Sequence, residues 1–485
     1  MATAATAVRP ARAADPWSLA EFYQLPEPPA DPARLPAWLA EVRRANYCSH
    51  PVRLAGRVDQ ADIATGELRE VYATDHEPGG VLLKACGNRR QSVCPACAET
   101  YRRDAWQLIA AGLKGGKGTP ETVASHPRLF VTFTAPSFGG VHTQRRNRRG
   151  EVLPCRPRDF SKRCAHGRPV GCWKRHGTGE RCLGEPVCPD CFDYQAQVIW
   201  NALAPELWRR TTEYAKRSLA QLAGISRRGL DRVVRVSFCK VAEYQVRGAV
   251  HFHAVIRLDA APLEDDAATP APPPPFFTAE LLAEAVRLAA ARVAVPVPEL
   301  DQDQGVTLVV RWGAQLDARA ISAAGPGELS AEAVAAYVAK YATKSTESLG
   351  AALNRRINDP VELDALPVRP HVVRLVRACW ELGGNPRLAG LRLRRWAHQL
   401  GFGGHWSTKS RRYSTTFTAL RRARVRAVLA RRHGTTQPLD AWGRAASEEA
   451  TVALSTWSYH GRGYRIPQGA RLAVASAVRA RARTA

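Results

Sequence analysis

The sequence of 485 residues contains no apolar run that approaches the length of a membrane-spanning helix. It also lacks a signal peptide of the usual kind, because residues 1–15 offer alanine, threonine, arginine and proline where an apolar segment is needed. Acidic residues are scarce, with 44 against 70 lysines and arginines, and the formal net charge is +26. These features predict a cytoplasmic protein with no membrane partner and a polyanion, by default nucleic acid, as its partner.

The sequence also lacks the phosphate-binding loop of a nucleotide-driven motor. The glycine-rich stretch 112–118 fails the required pattern, because Ala111 stands in the place of a glycine and Gly118 follows Lys117 in place of serine or threonine. No C2H2 finger and no clear helix-turn-helix signature is present. The chain therefore gives no support for a helicase activity of its own.

Two histidines alternate with apolar residues in the segment 249–259. A β-strand would place the side chains of His251 and His253 on the same face, at a spacing that suits one shared divalent cation. Paired histidines on strands are common, so the motif gains weight only from its neighbours.

A later segment is rich in tyrosine and lysine. Tyr337 and Tyr341 stand four residues apart in a predicted helix, which places both phenols, with Lys340 and Lys344, on or near one side. A phenol can attack a phosphodiester that a metal ion polarises, and the ammonium groups can offset phosphate charge or lower the phenol pKa. Together the two motifs indicate a DNA-nicking site.

An earlier segment, residues 129–139, is β-branched and aromatic and ends in proline and glycine, so it predicts a buried strand followed by a loop. The order of this strand, the histidine strand and the tyrosine helix resembles the His-hydrophobe-His endonuclease superfamily, in particular rolling-circle replication initiators of plasmids, integrative elements and small phages. The resemblance covers residues 84–346, and the Tyr-x3-Tyr-x2-Lys pattern matches the two-tyrosine initiators. Residues 403–416 resemble a C-terminal signature of actinobacterial-type initiators.

The resemblance implies a metal-dependent site-specific endonuclease and strand transferase. His251, His253 and a third acidic or amide residue would hold one Mg²⁺ or Mn²⁺. Tyr337 or Tyr341 would attack origin DNA that is single-stranded at the nick, giving a 5'-phosphotyrosine and a free 3'-OH. A host helicase and a host polymerase are the further partners expected, and the second tyrosine can close the strand that the first opens.

The third metal ligand depends on the turn between the two predicted strands of a hairpin. If the loop is residues 247–249, Glu243 lies opposite His253 and Gln245 lies on the same face, so a carboxylate and an amide reach the metal. A two-residue loop would place Tyr244 there instead. Three-residue loops with a left-handed glycine are common, which favours Glu243 as the third ligand.

The chain has twelve cysteines, which in a reducing compartment are better explained as metal ligands than as disulfides. Cys94 and Cys97 form one CxxC turn of the zinc-knuckle kind, and Cys188 and Cys191 form another. Structural zinc takes four thiolate or imidazole ligands, so the cysteines and nearby histidines can fill two sites. We therefore expect one to two zinc ions per chain.

The sequence leaves the assignment of the zinc ligands open. The two CxxC turns can share one ion, or the ligands can form two sets in chain order. The second alternative gives the following sets: Cys86, Cys94 and Cys97; Cys164, Cys172, Cys188 and Cys191. Further candidates nearby are Cys155, Cys182, His166 and His176. Cys239 and Cys379 lie in apolar runs and are predicted to be buried thiols.

These patterns predict an α+β fold in which a central antiparallel sheet carries the histidines and helices pack on it. The expected regions are a Pro- and Ala-rich N-terminal region, a nuclease domain with two zinc-binding insertions, and a helical, basic C-terminal region: 1–80, 81–350 (insertions 86–97 and 155–191) and 351–485. Helices are predicted over 98–113, 196–222 (interrupted or restarted near Pro205), 278–293 and from Ser330, and strands over 129–134, 233–246, 250–258 and 306–312.

The segment 391–432 contains twelve lysines and arginines and no acidic residue. Trp396, Trp406, Tyr413 and Phe417 are interleaved with these charges, and such rings can stack on bases. The segment is therefore predicted to contact DNA. The residues expected to make this contact are Arg394, Arg395, Lys409, Arg411 and Arg412.

Two other functions fit parts of the sequence. A conjugative relaxase or a transposase of the same superfamily would share the histidines and the tyrosines. A zinc-ribbon DNA-binding regulator without catalysis would explain the charge and the cysteines, but it would leave the histidine and tyrosine motifs without a role.

Overall fold

The computed structural model describes residues 35–63, 65–77, 79–159, 161–262, 270–298, 308–321, 329–342, 353, 355–365, 367–433, 451–464 and 467–482. Its helices and strands are, in chain order, α1 (Leu35–Arg44), β1 (Val52–Asp62), β2 (Leu68–Ala73), β3 (Leu82–Lys84), α2 (Pro95–Lys114), β4 (Arg128–Phe133), β5 (Arg145–Arg146), β6 (Val152–Leu153), α3 (Tyr194–Leu222), α4 (Arg227–Val233), β7 (Val234–Tyr244), β8 (Val250–Ala260), α5 (Ala279–Arg292), β9 (Val295–Pro296), β10 (Val309–Val310), β11 (Leu316–Ala320), α6 (Ala331–Ala342), α7 (Pro370–Leu382), β12 (Ser407–Lys409), α8 (Phe417–His433), β13 (Thr451–Arg462) and α9 (Pro467–Ala482).

The chain divides into two compact units, one formed by Met1–Tyr101 with Leu429–Ala485 and the other by Arg102–Val428. The predicted boundaries near residues 80 and 350 do not coincide with these units. In the first unit, β1 pairs antiparallel with β13 along most of its length, in a sheet of order β13-β1-β2 with β3 also on β1. This pairing joins segments that the sequence analysis assigned to separate N-terminal and C-terminal regions. The prediction of a helical C-terminal region is wrong for β13.

The second unit contains a five-stranded antiparallel sheet in the order β11-β4-β8-β7-β12. The predicted mixture of helices with antiparallel strands is confirmed, and β4, β7, β8, α5 and α6 lie where the sequence predicts them. The helix α3 runs without a break through Pro205, so the predicted interruption is absent. No helix in the described ranges combines the length and the apolar character needed to cross a bilayer.

Two strands of this sheet, β11 and β12, were not predicted. The strand β11 has the sequence Leu-Asp-Ala-Arg-Ala and lies at the sheet edge beside β4. Its two charged side chains hide the strand pattern, although charge is what an edge strand tolerates. The predicted strand over 306–312 is described only from residue 308, and there the strand β10 is two residues long.

Aromatic rings form the core on one face of the five-stranded sheet. The ring of Phe133 on β4 lies 5.0 Å from that of Trp312 and 5.6 Å from that of Trp208 on α3. Phe252 on β8 lies 5.7 Å from Trp312, measured between ring centroids. Because successive side chains on a strand point to opposite faces, the residues that flank Phe252 point away from this core. The buried face thus fixes the orientation of the two histidines.

Candidate active site

The two histidines lie on β8 beside hydroxyl groups from β4 and the residue after it. Nδ1 of His253 is 3.2 Å from the Thr132 hydroxyl, and Nδ1 of His251 is 3.3 Å from the Thr134 hydroxyl. In the strand register, Thr132 is directly opposite His253. A hydrogen bond at Nδ1 fixes the ring orientation and leaves Nε2 as the nitrogen that can bind a ligand.

The carboxylate of Glu243 lies on the same face, where the sequence analysis expected a third ligand. Its Oε2 atom is 3.3 Å from Nε2 of His253. The strand register differs from the prediction, because Glu243 is directly opposite His251 and the connecting loop begins one residue earlier, at Val246. The backbone amide of Gln245 donates to the Ala249 carbonyl at 2.9 Å, so the loop still has three residues, 246–248, with a left-handed glycine, Gly248 at φ +77°.

Contacts to helices fix the position of this loop. Side-chain amides of α3 donate to it, from Gln197 to the Arg247 carbonyl at 2.9 Å and from Asn201 to the Gly248 carbonyl at 3.0 Å. Nε2 of His371 on α7 is 2.8 Å from the Arg247 carbonyl. A Cβ at Gly248 would lie 2.9 Å from side-chain atoms of two leucines, so the turn also needs glycine for space. These partners are distant in sequence, which is why the hairpin pattern alone misplaced the register.

The helix α6 brings both tyrosines to the histidines. Its buried face consists of small and β-branched residues, Val334, Ala335, Val338, Ala339 and Ala342. The ring centroid of His253 is 5.1 Å from that of Tyr337 and 5.3 Å from that of Tyr341, and the two phenol rings are 4.7 Å apart. Tyr337 is 42% exposed, so its ring is accessible to a large substrate.

The electrostatics of the site favour a neutral histidine and a protonated phenol. Burial lowers the pKa of His251 to about 3, with further contributions from His253 and Arg247, so the imidazole is neutral and can bind a metal. Burial, a hydrogen bond with Tyr337 and the charge of Glu243 raise the pKa of Tyr341 above its usual value. Forming a phenolate here therefore requires a compensating positive charge.

Of the two predicted lysines, the structure describes only Lys340. Lys340 is exposed, and its Nζ atom lies 5.9 Å from the ring centroid of Tyr341. A lysine at this distance can supply part of the positive charge that a phenolate requires. Lys344 lies outside the described residues.

The donors His251, His253 and Glu243 suit a divalent cation, since imidazole and carboxylate with water are common ligands of Mn²⁺ and Mg²⁺. Their spacing is looser than that of the cysteine clusters. In the part of the chain that the structure describes, the groups with all ligand atoms within 4.8 Å of one another do not include this trio. Binding an ion there requires the three side chains to move closer together.

The chain matches the family model described as "Replication initiator protein, pSAM2" over residues 34–478. The chain belongs to this replication initiator family. It is similar to a replication initiator protein of Streptomyces ambofaciens, with 42% identity over 455 residues that cover 93% of this chain and 91% of the relative. No solved structure matches it. Membership of the family supports a role in replication initiation, which implies binding to origin DNA.

In this initiator the cysteines form three groups of four ligands that can hold zinc. The groups are Cys48, Cys86, Cys94 and Cys97; His142, Cys155, Cys172 and His176; and Cys164, His166, Cys188 and Cys191. In the first group the Sγ atoms of Cys86 and Cys97 are 3.7 Å apart, and so are those of Cys94 and Cys48. A disulfide would require about 2.0 Å, and a tetrahedral zinc ion separates two thiolates by about 3.8 Å.

The structure corrects the predicted assignment of ligands. Cys172 does not join Cys164, and the two CxxC turns lie in different groups. The sequence analysis missed Cys48 and His142, because neither belongs to a CxxC turn and each is well separated along the chain from the other ligands of its group. Cys239 and Cys379 are buried and free, as predicted.

The basic segment of the initiator is only partly available to DNA. Arg394, Arg395 and Arg411 are exposed and Arg412 is half-buried. Lys409 instead donates from Nζ to three backbone carbonyls, at 2.9, 3.1 and 3.3 Å, so it stabilises its own loop.

The prediction of base-stacking rings is wrong for two of the four aromatic residues in this segment. Trp406 is 7% exposed and Tyr413 is fully buried, so neither can stack on DNA. The Tyr413 hydroxyl donates to the Ile109 carbonyl at 3.1 Å. Trp406 packs against Phe402, and the Tyr413 ring lies 5.4 Å from the Arg257 guanidinium, so the role of both rings is structural.

Proposed function

We propose that this initiator nicks one strand of its origin DNA by tyrosine attack and starts rolling-circle replication, as a two-tyrosine member of the His-hydrophobe-His superfamily. The observation that carries the proposal is the meeting of Tyr337 and Tyr341 with His253, with all three rings within 5.3 Å of one another. Nothing in ordinary packing requires two phenols, two imidazoles and a carboxylate on one partly open face. The family match supports replication in preference to conjugative transfer or transposition.

The residues that would hold a catalytic Mg²⁺ or Mn²⁺ are His251, His253 and Glu243. When bound, such an ion polarises the scissile phosphate and orients it. The threonine hydroxyls at Nδ1 of both histidines support this assignment, because they keep each ring in a fixed orientation with Nε2 available.

Tyr337 is the better candidate for the first nucleophile. Tyr337 is exposed, whereas Tyr341 is half-buried, and its raised pKa keeps the Tyr341 phenol protonated to higher pH than an ordinary tyrosine. The phenol oxygen of Tyr337 forms a bond to phosphorus and gives up its proton. The bond from phosphorus to the 3'-oxygen breaks, and that oxygen takes a proton to become the 3'-OH. The bond energy stays in the 5'-phosphotyrosine, so religation needs no nucleotide.

The roles left to other groups follow from this scheme. Lys340 and Lys344 would offset the charge on the phosphates, and Tyr341 would act in the closing step. Arg394, Arg395, Arg411 and Arg412 would contact the DNA backbone. A host helicase would separate the strands, because the sequence has no motor motif, and a host polymerase would extend the 3'-OH.

Single-stranded origin DNA from the replicon that encodes the chain tests this proposal. The native protein is expected to become covalently attached to it, and the double variant Tyr337→Phe, Tyr341→Phe is expected to lose attachment entirely, because only the two phenolic oxygens are removed. Tyr459→Phe is the matched control, since Tyr459 is 64% exposed and lies on β13. Attachment by the double variant would refute the nucleophile assignment. A protein that binds the origin without ever attaching would be a non-catalytic regulator.

A further inference from the structure

Eight ligand residues of the cysteine-rich insertion, residues 142–191, belong to two groups whose members alternate along the chain. The first group takes the pairs His142 with Cys155 and Cys172 with His176. The second group takes the pairs that alternate with them along the chain, Cys164 with His166 and Cys188 with Cys191. The loop that closes one group therefore contains a ligand pair of the other. When either group assembles, the closed loop therefore also brings two ligands of the other group into the same region.

The first group has the spacing of a tetrahedral site. Nε2 of His176 is 3.3 Å from Nδ1 of His142 and 3.5 Å from Sγ of Cys172. Sγ of Cys155 is 3.9 Å from Nδ1 of His142. A tetrahedral zinc ion separates two nitrogens by about 3.4 Å and a nitrogen from a sulfur by about 3.6 Å, so these values fit.

The second group has comparable distances. Nδ1 of His166 is 3.2 Å from Sγ of Cys191 and 3.8 Å from Sγ of Cys188. Sγ of Cys164 lies within 4.8 Å of the other three ligand atoms. One imidazole and three thiolates form a common closed zinc site.

The orientation of the His176 ring decides which of two possible ligand sets it joins. Its Nδ1 atom is 2.8 Å from Oε2 of Glu180, whereas Nε2 faces His142 and Cys172. Cys182 also lies near Nδ1, at 3.4 Å, so His176, Glu180 and Cys182 form a rival set. A carboxylate that accepts from the second ring nitrogen is the usual support of a zinc-bound histidine. Glu180 therefore positions His176 for the first group.

The insertion has almost no apolar core. Among the described residues of 142–191, no leucine, isoleucine, valine, phenylalanine, tyrosine or tryptophan is buried. The buried side chains include Cys155, Cys188 and His176, which are ligand candidates themselves. A segment of this size without apolar burial needs another source of stability, and metal binding can provide it.

We propose that residues 142–191 form a single cross-braced module that binds two zinc ions, where cross-braced means that alternate ligand pairs share an ion. The module goes beyond the nicking chemistry and does not depend on it. With the cluster of Cys48, Cys86, Cys94 and Cys97, the chain binds three zinc ions. The two ions of the module bind and leave together, because each holds the loop that carries ligands of the other.

The module supports the hairpin that carries the catalytic histidines. The backbone amide of Gly184 donates to the His142 carbonyl at 2.8 Å. Arg369 bridges the module and the hairpin, donating to the Leu183 carbonyl at 2.8 Å and to the Val246 carbonyl at 2.7 Å. Loss of zinc from the module should therefore loosen the loop between β7 and β8.

The zinc content of purified variants tests the cross-brace. The native protein is expected to contain three zinc ions per chain. Cys164→Ser and Cys172→Ser each remove a ligand from a different group, and each is expected to lower the content to one. Cys182→Ser is the matched control, since Cys182 lies in the same insertion outside both groups, and it should retain three. Two ions remaining in either ligand variant, or a loss in the Cys182→Ser protein, would overturn the proposal.

A measurement on the unmodified protein covers the case in which the variants fail to fold. Stepwise titration with an organomercurial displaces thiolate-bound zinc, and a chromophoric chelator reports each ion released. Two of the three ions are expected to leave in one cooperative step, and three separate steps would contradict the cross-brace. X-ray absorption at the zinc edge should find nine sulfur and three nitrogen ligands over the three ions; an excess of nitrogen or oxygen would count against the assignment.

Discussion

The two ends of β8 carry ionisable side chains on the same face of the sheet in contrasting environments. Near its start, His251 and His253 lie beneath the tyrosine helix, where Tyr337 is 42% exposed and the Glu243 side chain is 20% exposed. Near its end, Arg257 and Asp259 are fully buried. Period-two alternation puts all four β8 residues on one face, so neighbouring elements create the difference.

The buried end satisfies nearly every polar atom of its charged pair. Asp259 accepts from Nε of Arg257 at 2.6 Å and from the Ser237 hydroxyl at 2.6 Å, and it lies 2.8 Å from Nδ1 of His126. Burial alone would raise the pKa of Asp259, but these hydrogen bonds outweigh it and hold the pKa below its usual value. Arg257 also donates to the Gly112 carbonyl, and a Cβ at Gly112 would lie 2.2 Å from the Tyr413 ring.

The contrast distinguishes a structural polar group from a chemical one. At the end of β8 the donors and acceptors are matched and closed off from solvent, so little capacity remains for a ligand. At the start of β8 the polar contacts of the two histidines are longer, at 3.2 to 3.3 Å, and the nearby phenol of Tyr337 is exposed. Substitutions at the start of β8 should therefore lower activity, and substitutions at its end should lower stability.

The largest effect is expected at the open end. His253→Ala should lower nicking by about 10³-fold, because loss of a metal ligand removes several kcal/mol of transition-state stabilisation. Mild chelation with EDTA should reproduce the loss in the native protein without unfolding it, because the closed thiolate sites hold zinc more tightly than the open histidine site holds its ion. Mn²⁺ should restore nicking. Origin binding, measured by filter retention, should change little, because phosphate contacts elsewhere supply most of the affinity.

The control for this substitution is His76→Ala, since the His76 side chain is 78% exposed and lies outside the five-stranded sheet. It should nick at the native rate. Thr132→Val should fall between the two, with about 10- to 100-fold lower nicking, because it removes only the hydroxyl at Nδ1 of His253. Normal nicking by the His253→Ala protein would mean that the open end of β8 is as structural as the closed end.

A loss of stability, with no effect on chemistry, is expected at the closed end. Asp259→Asn leaves the Arg257 guanidinium buried without its counter-charge, so the free energy of unfolding should fall by about 3–5 kcal/mol. Nicking per folded molecule should not change. Asp317→Asn is the control, because its ion pair with Arg319 is exposed and should contribute less than about 1 kcal/mol. Equal losses from the two variants in urea unfolding would contradict the comparison.

Local sequence patterns pointed to the residues that meet at the open end, and none pointed to the ion pair at the closed end. Alternation around His251 and His253 and helical spacing of Tyr337 and Tyr341 are local signals, and the structure brings these residues together. Arg257 follows the same alternation, but its partners come from distant segments. Only tertiary packing distinguishes a buried ion pair from a solvated one.

The same limit explains the errors in register and zinc ligands. The turn between β7 and β8 is fixed by side chains of α3 and α7, which lie far from it in sequence. The CxxC turns were recognisable from their spacing, but Cys48 and His142 belong to no such motif and are well separated along the chain from the other ligands of their groups. Local spacing thus located the sites, and long-range contacts completed them.

A third buried charge, on the core face of β7, gives the smallest and most specific test. Lys240 is 3% exposed, and its Nζ atom donates to the His405 carbonyl at 3.1 Å and lies 4.3 Å from the Phe252 ring centroid. Burial lowers its pKa to about 8 from 10.5. Below pH 8 both folded and unfolded chains are protonated here, and the folded chain bears the desolvation penalty.

That penalty disappears as the pH rises from 8 to 10.5, because the folded chain releases the proton first and the unfolded chain still holds it. Lys240→Met should therefore be more stable than the native protein at pH 7, by about 3 kcal/mol, and should lose most of this advantage by pH 10. Lys84→Met, at an exposed position on β3, controls for the intrinsic effect of methionine. Urea unfolding at both pH values measures the difference. A Lys240→Met advantage that stays constant with pH would show that the ammonium is solvated, and that the core face of β7 is more open than the closed end of β8.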